Sequence, residues 1–178
     1  MIDEEKIKDM VLGFLLTQDC NFSCKHCLNQ CPYNEELPYE KFTEIIDIFG
    51  AYDLKRVSFS GGEPILHPDF KEIVAYAVKN KLELIVHSNA YLYEKYDFLL
   101  QYAPDFFKTM VFSLEGLEKN HDKNRREGSY KKVMEAIDFF KSKEVTVKIN
   151  LVITPKNHLE VEELLSTLAK KIVDAIHL

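Results

Sequence analysis

Apolar positions recur along the chain with two alternating periods. Short runs rich in β-branched and aromatic residues at Val11–Thr17, Arg56–Ser60, Leu82–Ser88, Thr109–Leu114 and Val145–Ile153 predict buried strands. Amphipathic stretches between them predict helices. Tyr39–Ala51 places Phe42, Ile45, Ile46 and Phe49 on one face. Pro68–Asn80 opens on a proline, which suits a first helical position. Tyr91–Tyr102, Ser129–Lys143 with Ser129 as N-cap, and Leu159–Lys171 follow. Ile172–Leu178 predicts a sixth strand. Repeated strand–helix alternation implies parallel βαβ units with right-handed crossovers. The predicted class is α/β, a partial parallel (β/α)6 barrel, with an open doubly wound sheet as the alternative. Parallel sheets are normally covered on both faces, yet no helix follows the last strand. The pattern therefore predicts one core domain over residues 1–178, C-terminally incomplete and truncated at the sixth strand, where a partner chain could pair.

Composition narrows the function. A chain of 178 residues with 46% hydrophobic and 29% charged residues suits one domain with a real core. A net charge of -6 argues against non-specific nucleic-acid binding, which needs a basic surface. The chain has no apolar run of bilayer length and no signal-peptide pattern at its start, so a cytoplasmic location is expected and no membrane partner.

All four cysteines, Cys20, Cys24, Cys27 and Cys31, fall in one short stretch after the first strand. A disulfide framework would spread its thiols to staple distant segments, whereas tight packing favours a metal or cluster. The spacing C-x-x-x-C-x-x-C over Cys20–Cys27 can wrap one corner of an iron–sulfur cubane and leave one iron open. Two alternatives stand beside it. Cys31 and His26 could complete a four-ligand zinc set, or the thiols could be buried by chance.

A second motif, Ser60-Gly61-Gly62-Glu63-Pro64, follows the second strand. The two motifs in this order resemble the radical S-adenosylmethionine superfamily, most like its peptide- and protein-modifying members. The resemblance implies an oxidoreductase in which Cys20, Cys24 and Cys27 hold a [4Fe–4S] cluster, with Cys31 outside the ligand set. It also implies S-adenosylmethionine on the fourth iron, reductive cleavage to a 5′-deoxyadenosyl radical, and hydrogen abstraction from a substrate. A reductant such as flavodoxin or ferredoxin is then the expected partner, with a peptide as the substrate class considered. In that frame Gly61 and Gly62 let backbone approach a ligand, Glu63 accepts from the cofactor amino group, and Pro64 fixes the turn.

Ser113-Leu114-Glu115-Gly116 resembles the S-L-D-G segment of those members, with Glu115 in place of aspartate, so Ser113 is expected to hydrogen-bond the cofactor. His121-Asp122-Lys123-Asn124-Arg125 resembles their H-D-x-x-R, so Arg125 is expected to clamp the cofactor carboxylate. The bland reading of Arg125 and Arg126 is a solvated loop. Ser88-Asn89-Ala90 stands where relatives have T-N-G; Asn89 is expected to line the pocket, while Ala90 weighs against the turn a glycine would make. Lys148 and Asn150 share one face of the fifth strand, the lumen side of a partial barrel or an exposed edge, and Asn150 is carried as a cofactor contact. Phe22 is expected to shield the cluster, and His67 to pack or cap locally. The absence of cysteine after Cys31 sets the chain apart from members with a cysteine-rich C-terminal domain. The competing reading is a truncated cluster-binding fragment or subunit without turnover of its own.

Overall fold

The computed structural model describes residues 10–27 and 35–177. Cys31 and Leu178 lie outside the described residues. Six strands, β1 (Val11–Thr17), β2 (Arg56–Gly61), β3 (Glu83–Ser88), β4 (Phe107–Ser113), β5 (Thr146–Asn150) and β6 (Ala175–His177), form one open sheet in sequence order. The pairs β1–β2, β2–β3, β4–β5 and β5–β6 are parallel. Helices α1 (Tyr39–Gly50), α2 (Phe70–Lys79), α3 (Asp97–Tyr102), α4 (Glu118–Asn124), α5 (Ser129–Lys141) and α6 (Val161–Lys170) connect them. No helix among the described residues is long and apolar enough to cross a membrane.

The chain divides into two compact units. The first holds β1, β2, α1, α2 and most of β3, with Phe98–Lys108. Its core is a run of edge-to-face rings, Phe14 on Phe42 at 4.8 Å, Phe42 on Phe59 at 6.0 Å and Phe59 on Phe70 at 6.0 Å. Val57, Ile73, Leu84 and Leu99 fill around them without exposure. The second unit holds Phe22–Cys27, the turn after β3, and the chain from Thr109 onward. There Phe112, Val133, Ile137, Phe140, Val147, Ile149 and Leu168 are fully buried.

Four helix-to-strand corners reuse one device. Asp53, Lys81, Glu144 and Ile172 each take a positive φ of 55–61°, two or three residues past a helix end. The amide of each bonds back three residues, to Gly50, Val78, Lys141 and Ala169. Leu54, Leu82 and Val145 then bond back five residues, to Phe49, Ala77 and Phe140, and bury their side chains. These are Schellman closures with an apolar residue as the second element outside the helix. Glycine usually marks such corners, and none is present at these four, so the pattern of apolar residues does not reveal them.

Several boundaries differ from the sequence expectation. The stretch after β3 opens as a 3-10 turn, Tyr93–Tyr96, before the short α3. Strand β5 stops at Asn150, with Val152 and Ile153 largely exposed. Strand β6 begins at Ala175 rather than Ile172, because Ile172 is the left-handed residue that ends α6. Helix α4 covers residues that the apolar pattern assigned to no element. Ser129 is not the N-cap of α5. That position is Gly128, φ +77°, and the capping acceptor is Asp122 from the preceding helix.

Candidate functional site

In the first unit, the Gly61-Gly62-Glu63-Pro64 turn is laced to the chain leaving β1. The Gly62 amide donates to the Thr17 carbonyl at 2.7 Å, and the Glu63 amide to the Asp19 carbonyl at 2.8 Å. Thr17 Oγ1 accepts from the Asp19 amide at 2.9 Å. A Cβ on Gly61, φ +128°, would stand 2.3 Å from the Thr17 oxygen, and one on Gly62 would stand 2.0 Å from the Asp19 oxygen. Crossing backbones within the protein therefore already require both glycines. The stretch so held is the one that enters Cys20. Glu63 is fully buried, and Pro64 opens a 3-10 turn, Pro64–Leu66, where its missing N–H costs nothing. His67 packs locally. Its Nδ1 accepts from the Asp69 amide at 3.1 Å, so Nε2 donates to the Leu37 carbonyl at 3.0 Å.

In the second unit, the rest of the cysteine loop rests on the segments after β4. The Lys25 amide donates to the Asn124 carbonyl at 3.2 Å, and the Cys27 amide to the Cys24 carbonyl at 3.2 Å. His26 Nε2 lies 3.4 Å from Oε1 of Glu115. Phe22 meets Tyr91 edge-on at 5.4 Å. Arg126, read in sequence as solvated, stacks on Tyr91 at 4.4 Å and on Phe22 at 6.0 Å.

Glu115 is the hub of this region. It is only 3% exposed, and Nε and Nη2 of Arg125 grip its two oxygens side by side. Its amide donates to His121 Nδ1 at 3.2 Å. That bond places the imidazole proton on Nε2, a buried atom without a hydrogen-bond partner. Burial lowers the His121 pKa to about 4, opposed by the Glu115 charge, so the ring is neutral near pH 7. The 3.5 Å approach of His121 to the Glu115 carboxylate is therefore a contact and not an ion pair. The Glu115 carbonyl accepts from Asn157 Nδ2 at 2.9 Å, and Glu160 accepts from the Leu117 amide at 2.9 Å. Neither Asn157 nor Glu160 stood out in the sequence, because each acts across some forty residues.

The other candidates sit at strand ends of the same unit. Ala90 does adopt the left-handed turn, φ +66°, despite its methyl. Ser88 Oγ accepts from the Ala90 amide at 3.0 Å, and Asn89 Oδ1 from the Tyr91 amide at 2.9 Å, which hold the turn a glycine would have eased. Ser113 pairs in register with Asn150. Val147 and Ile149 are fully buried while Lys148 and Asn150 are half-buried, as the alternation implies. Asn150 Nδ2 comes within 3.5 Å of Nδ1 of His87, whose pKa burial and His177 lower.

Thiols are the donors an iron–sulfur cluster takes, yet among the described residues no group of three or more His, Cys, Asp or Glu side chains is gathered closely enough to hold a metal ion. Cys20 and Cys24 are half-buried and Cys27 is exposed, and the Cys27 amide donates to the Cys24 carbonyl. The family model for the radical SAM superfamily matches residues 14–168. The chain belongs to the radical SAM superfamily. Among its radical SAM relatives, an AdoMet-dependent heme synthase of Oleidesulfovibrio alaskensis is 27% identical over 152 residues, 83% of this chain and 39% of the relative. The sporulation killing factor maturation protein SkfB of Bacillus subtilis is 28% identical over 158 residues, 86% of this chain and 38% of the relative. The solved structure of Streptococcus suis SuiB bound to S-adenosylmethionine superposes with a TM-score of 0.77 at 18% identity, covering 93% of this chain and 39% of SuiB. The chain thus spans about two fifths of the length of these radical SAM relatives. The structural likeness establishes the partial-barrel fold.

Proposed function

We propose that Cys20, Cys24 and Cys27 hold a [4Fe–4S] cluster, and that Gly61 to Pro64, Asn89, Ser113, Arg125 and Asn150 bind S-adenosylmethionine. When bound and reduced, such a cluster supplies the single electron that splits the cofactor's sulfur–carbon bond into methionine and a 5′-deoxyadenosyl radical, which takes a hydrogen atom from substrate. The observation that carries this reading is the lacing of the Gly61–Pro64 turn to the segment that enters Cys20. It ties the second motif to the segment on which the first begins.

The chain's own residues bind and orient. The Thr17–Asp19 lacing fixes the base from which Cys20 is presented. Arg125, oriented by Glu115, pairs the methionine carboxylate, for which a planar guanidinium is suited. Asn89 and Asn150 offer amide groups to the nucleoside part. Phe22 and Tyr91, with Arg126 stacked on them, keep water from the cysteine loop. The proposed substrate is a peptide. Two relatives are named as maturation enzymes, SkfB and the Mycobacterium tuberculosis mycofactocin maturase MftC, and SuiB has been solved with its precursor peptide. A flavodoxin or ferredoxin is the proposed reductant.

The test is anaerobic reconstitution with iron and sulfide, followed by dithionite and S-adenosylmethionine, with 5′-deoxyadenosine as the readout. Product above a Cys24→Ala control is the expected result. A fully loaded chain that makes none would overturn turnover by this chain and favour a cluster-holding subunit.

A further inference from the structure

The cysteine loop and the arginine assigned to the cofactor carboxylate meet at one buried side chain. Oε1 of Glu115 lies 3.4 Å from His26, which sits between Cys24 and Cys27, and the same carboxylate grips Arg125 with both oxygens. The Lys25 amide next door bonds the carbonyl of Asn124, the residue before Arg125. A charged carboxylate at 3% exposure must be compensated, and these contacts supply the compensation. Glutamate also reaches one methylene further than the aspartate of the related segment. We infer that Glu115 is a positioning residue: its carboxylate ties His26 and Arg125 together, so the Cys24–Cys27 part of the loop and the carboxylate clamp are held in one geometry.

This inference rests on the cluster-and-cofactor reading for its purpose, but its mechanical content can be tested without either group. A Glu115→Gln chain keeps the side-chain length and loses the charge. Amide hydrogen exchange of the full cofactor-free chain reports on the tie. Exchange at Lys25 and Cys27 is expected to rise roughly tenfold, while Val147 and Ile149 in the core stay unchanged. Unchanged exchange at Lys25 and Cys27 overturns the inference. If Glu115→Gln loosens the core as well, His26→Phe, which cuts only the loop end of the tie, must raise exchange at Lys25 and Cys27 alone. Its failure to do so is equally decisive against the inference.

The reconstituted chain supplies a readout that a merely structural role would not move. The electron paramagnetic resonance signal of the reduced cluster is titrated with S-adenosylmethionine. Glu115→Gln is expected to need roughly tenfold more cofactor for the half-shift, with Glu115→Asp between it and the parent. A half-shift within about twofold of the parent refutes the clamp part of the inference. A parent chain whose signal does not respond to the cofactor refutes the functional reading instead, while the exchange experiment still decides the tie.

Discussion

Gly62→Ala separates two explanations of the glycine pair. If the glycines serve only a ligand's approach, the cofactor-free chain should be indifferent to the change. The packing within the protein says otherwise. The new Cβ would stand 2.0 Å from the Asp19 carbonyl oxygen and 2.6 Å from its carbon, both backbone atoms. Carbon–oxygen contacts settle near ~3.3 Å, so the Thr17–Asp19 segment must retreat by more than about 1 Å. That retreat breaks the Gly62–Thr17 and Glu63–Asp19 bonds, now 2.7 and 2.8 Å. Each is worth about 1 kcal/mol net, and a buried amide left unpaired costs about 1–3 kcal/mol more, so the expected loss is roughly 3–5 kcal/mol. Gly62 is the better probe than Gly61, whose φ of +128° would add strain to the clash. Urea unfolding of the cofactor-free chain, followed by far-UV circular dichroism, measures the loss. The same preparation should take up less iron and sulfide, because the displaced segment leads into Cys20. A variant within about 0.5 kcal/mol of the parent, altered only in cofactor binding, would refute the reasoning and restore ligand approach as the sole reason for the glycine.

Three further outcomes are expected. Asp122 accepts from the Gly128 amide at 2.6 Å and the Tyr130 amide at 2.8 Å, capping α5, so Asp122→Ala should cost about 2 kcal/mol in urea unfolding; a loss under about 0.5 kcal/mol would show the cap to be idle. Ile172 is a β-branched residue at φ +55° with 72% of its surface exposed, so Ile172→Asn should stabilise by about 1 kcal/mol, and a destabilised variant would count against the strain argument. His121 has its pKa lowered from 6.5 to about 4. The unfolded chain therefore binds the proton first, and this site's contribution to stability is full above pH 6.5 and falls by about 3 kcal/mol on going to pH 4. His121→Phe should flatten that part of the pH–stability curve, and an unchanged slope would place the acid sensitivity elsewhere.

What the sequence made legible follows from the range over which each feature acts. Strands such as Arg56–Gly61 and Thr146–Asn150 carry their own pattern, because Val57, Phe59, Val147 and Ile149 are buried by the sheet's helices. The two signature motifs were readable for the same reason: each is a few consecutive residues. The supports of the candidate site are not local. The Glu115–Arg125 pair spans ten residues, the His26 contact joins the cysteine loop to the end of β4, and Asn157 reaches the Glu115 carbonyl from forty-two residues away. Short-range exceptions also hid. Asp122 caps a helix six to eight residues on, and Ala90 turns left-handed because Ser88 and Asn89 hold the following amides. Arg125 had a bland reading as solvated loop, and Glu115 and Ala90 stood as departures from the related motifs. Glu115 is a case in point: it departs from the related aspartate by one methylene, and its carboxylate contacts both His26 and Arg125. The same logic makes Glu115→Asp more informative than a deletion, since it keeps the charge and shortens only the reach. If the cofactor half-shift of Glu115→Asp matched that of the parent, the added methylene would have no positioning role, and the departure from aspartate would be neutral drift.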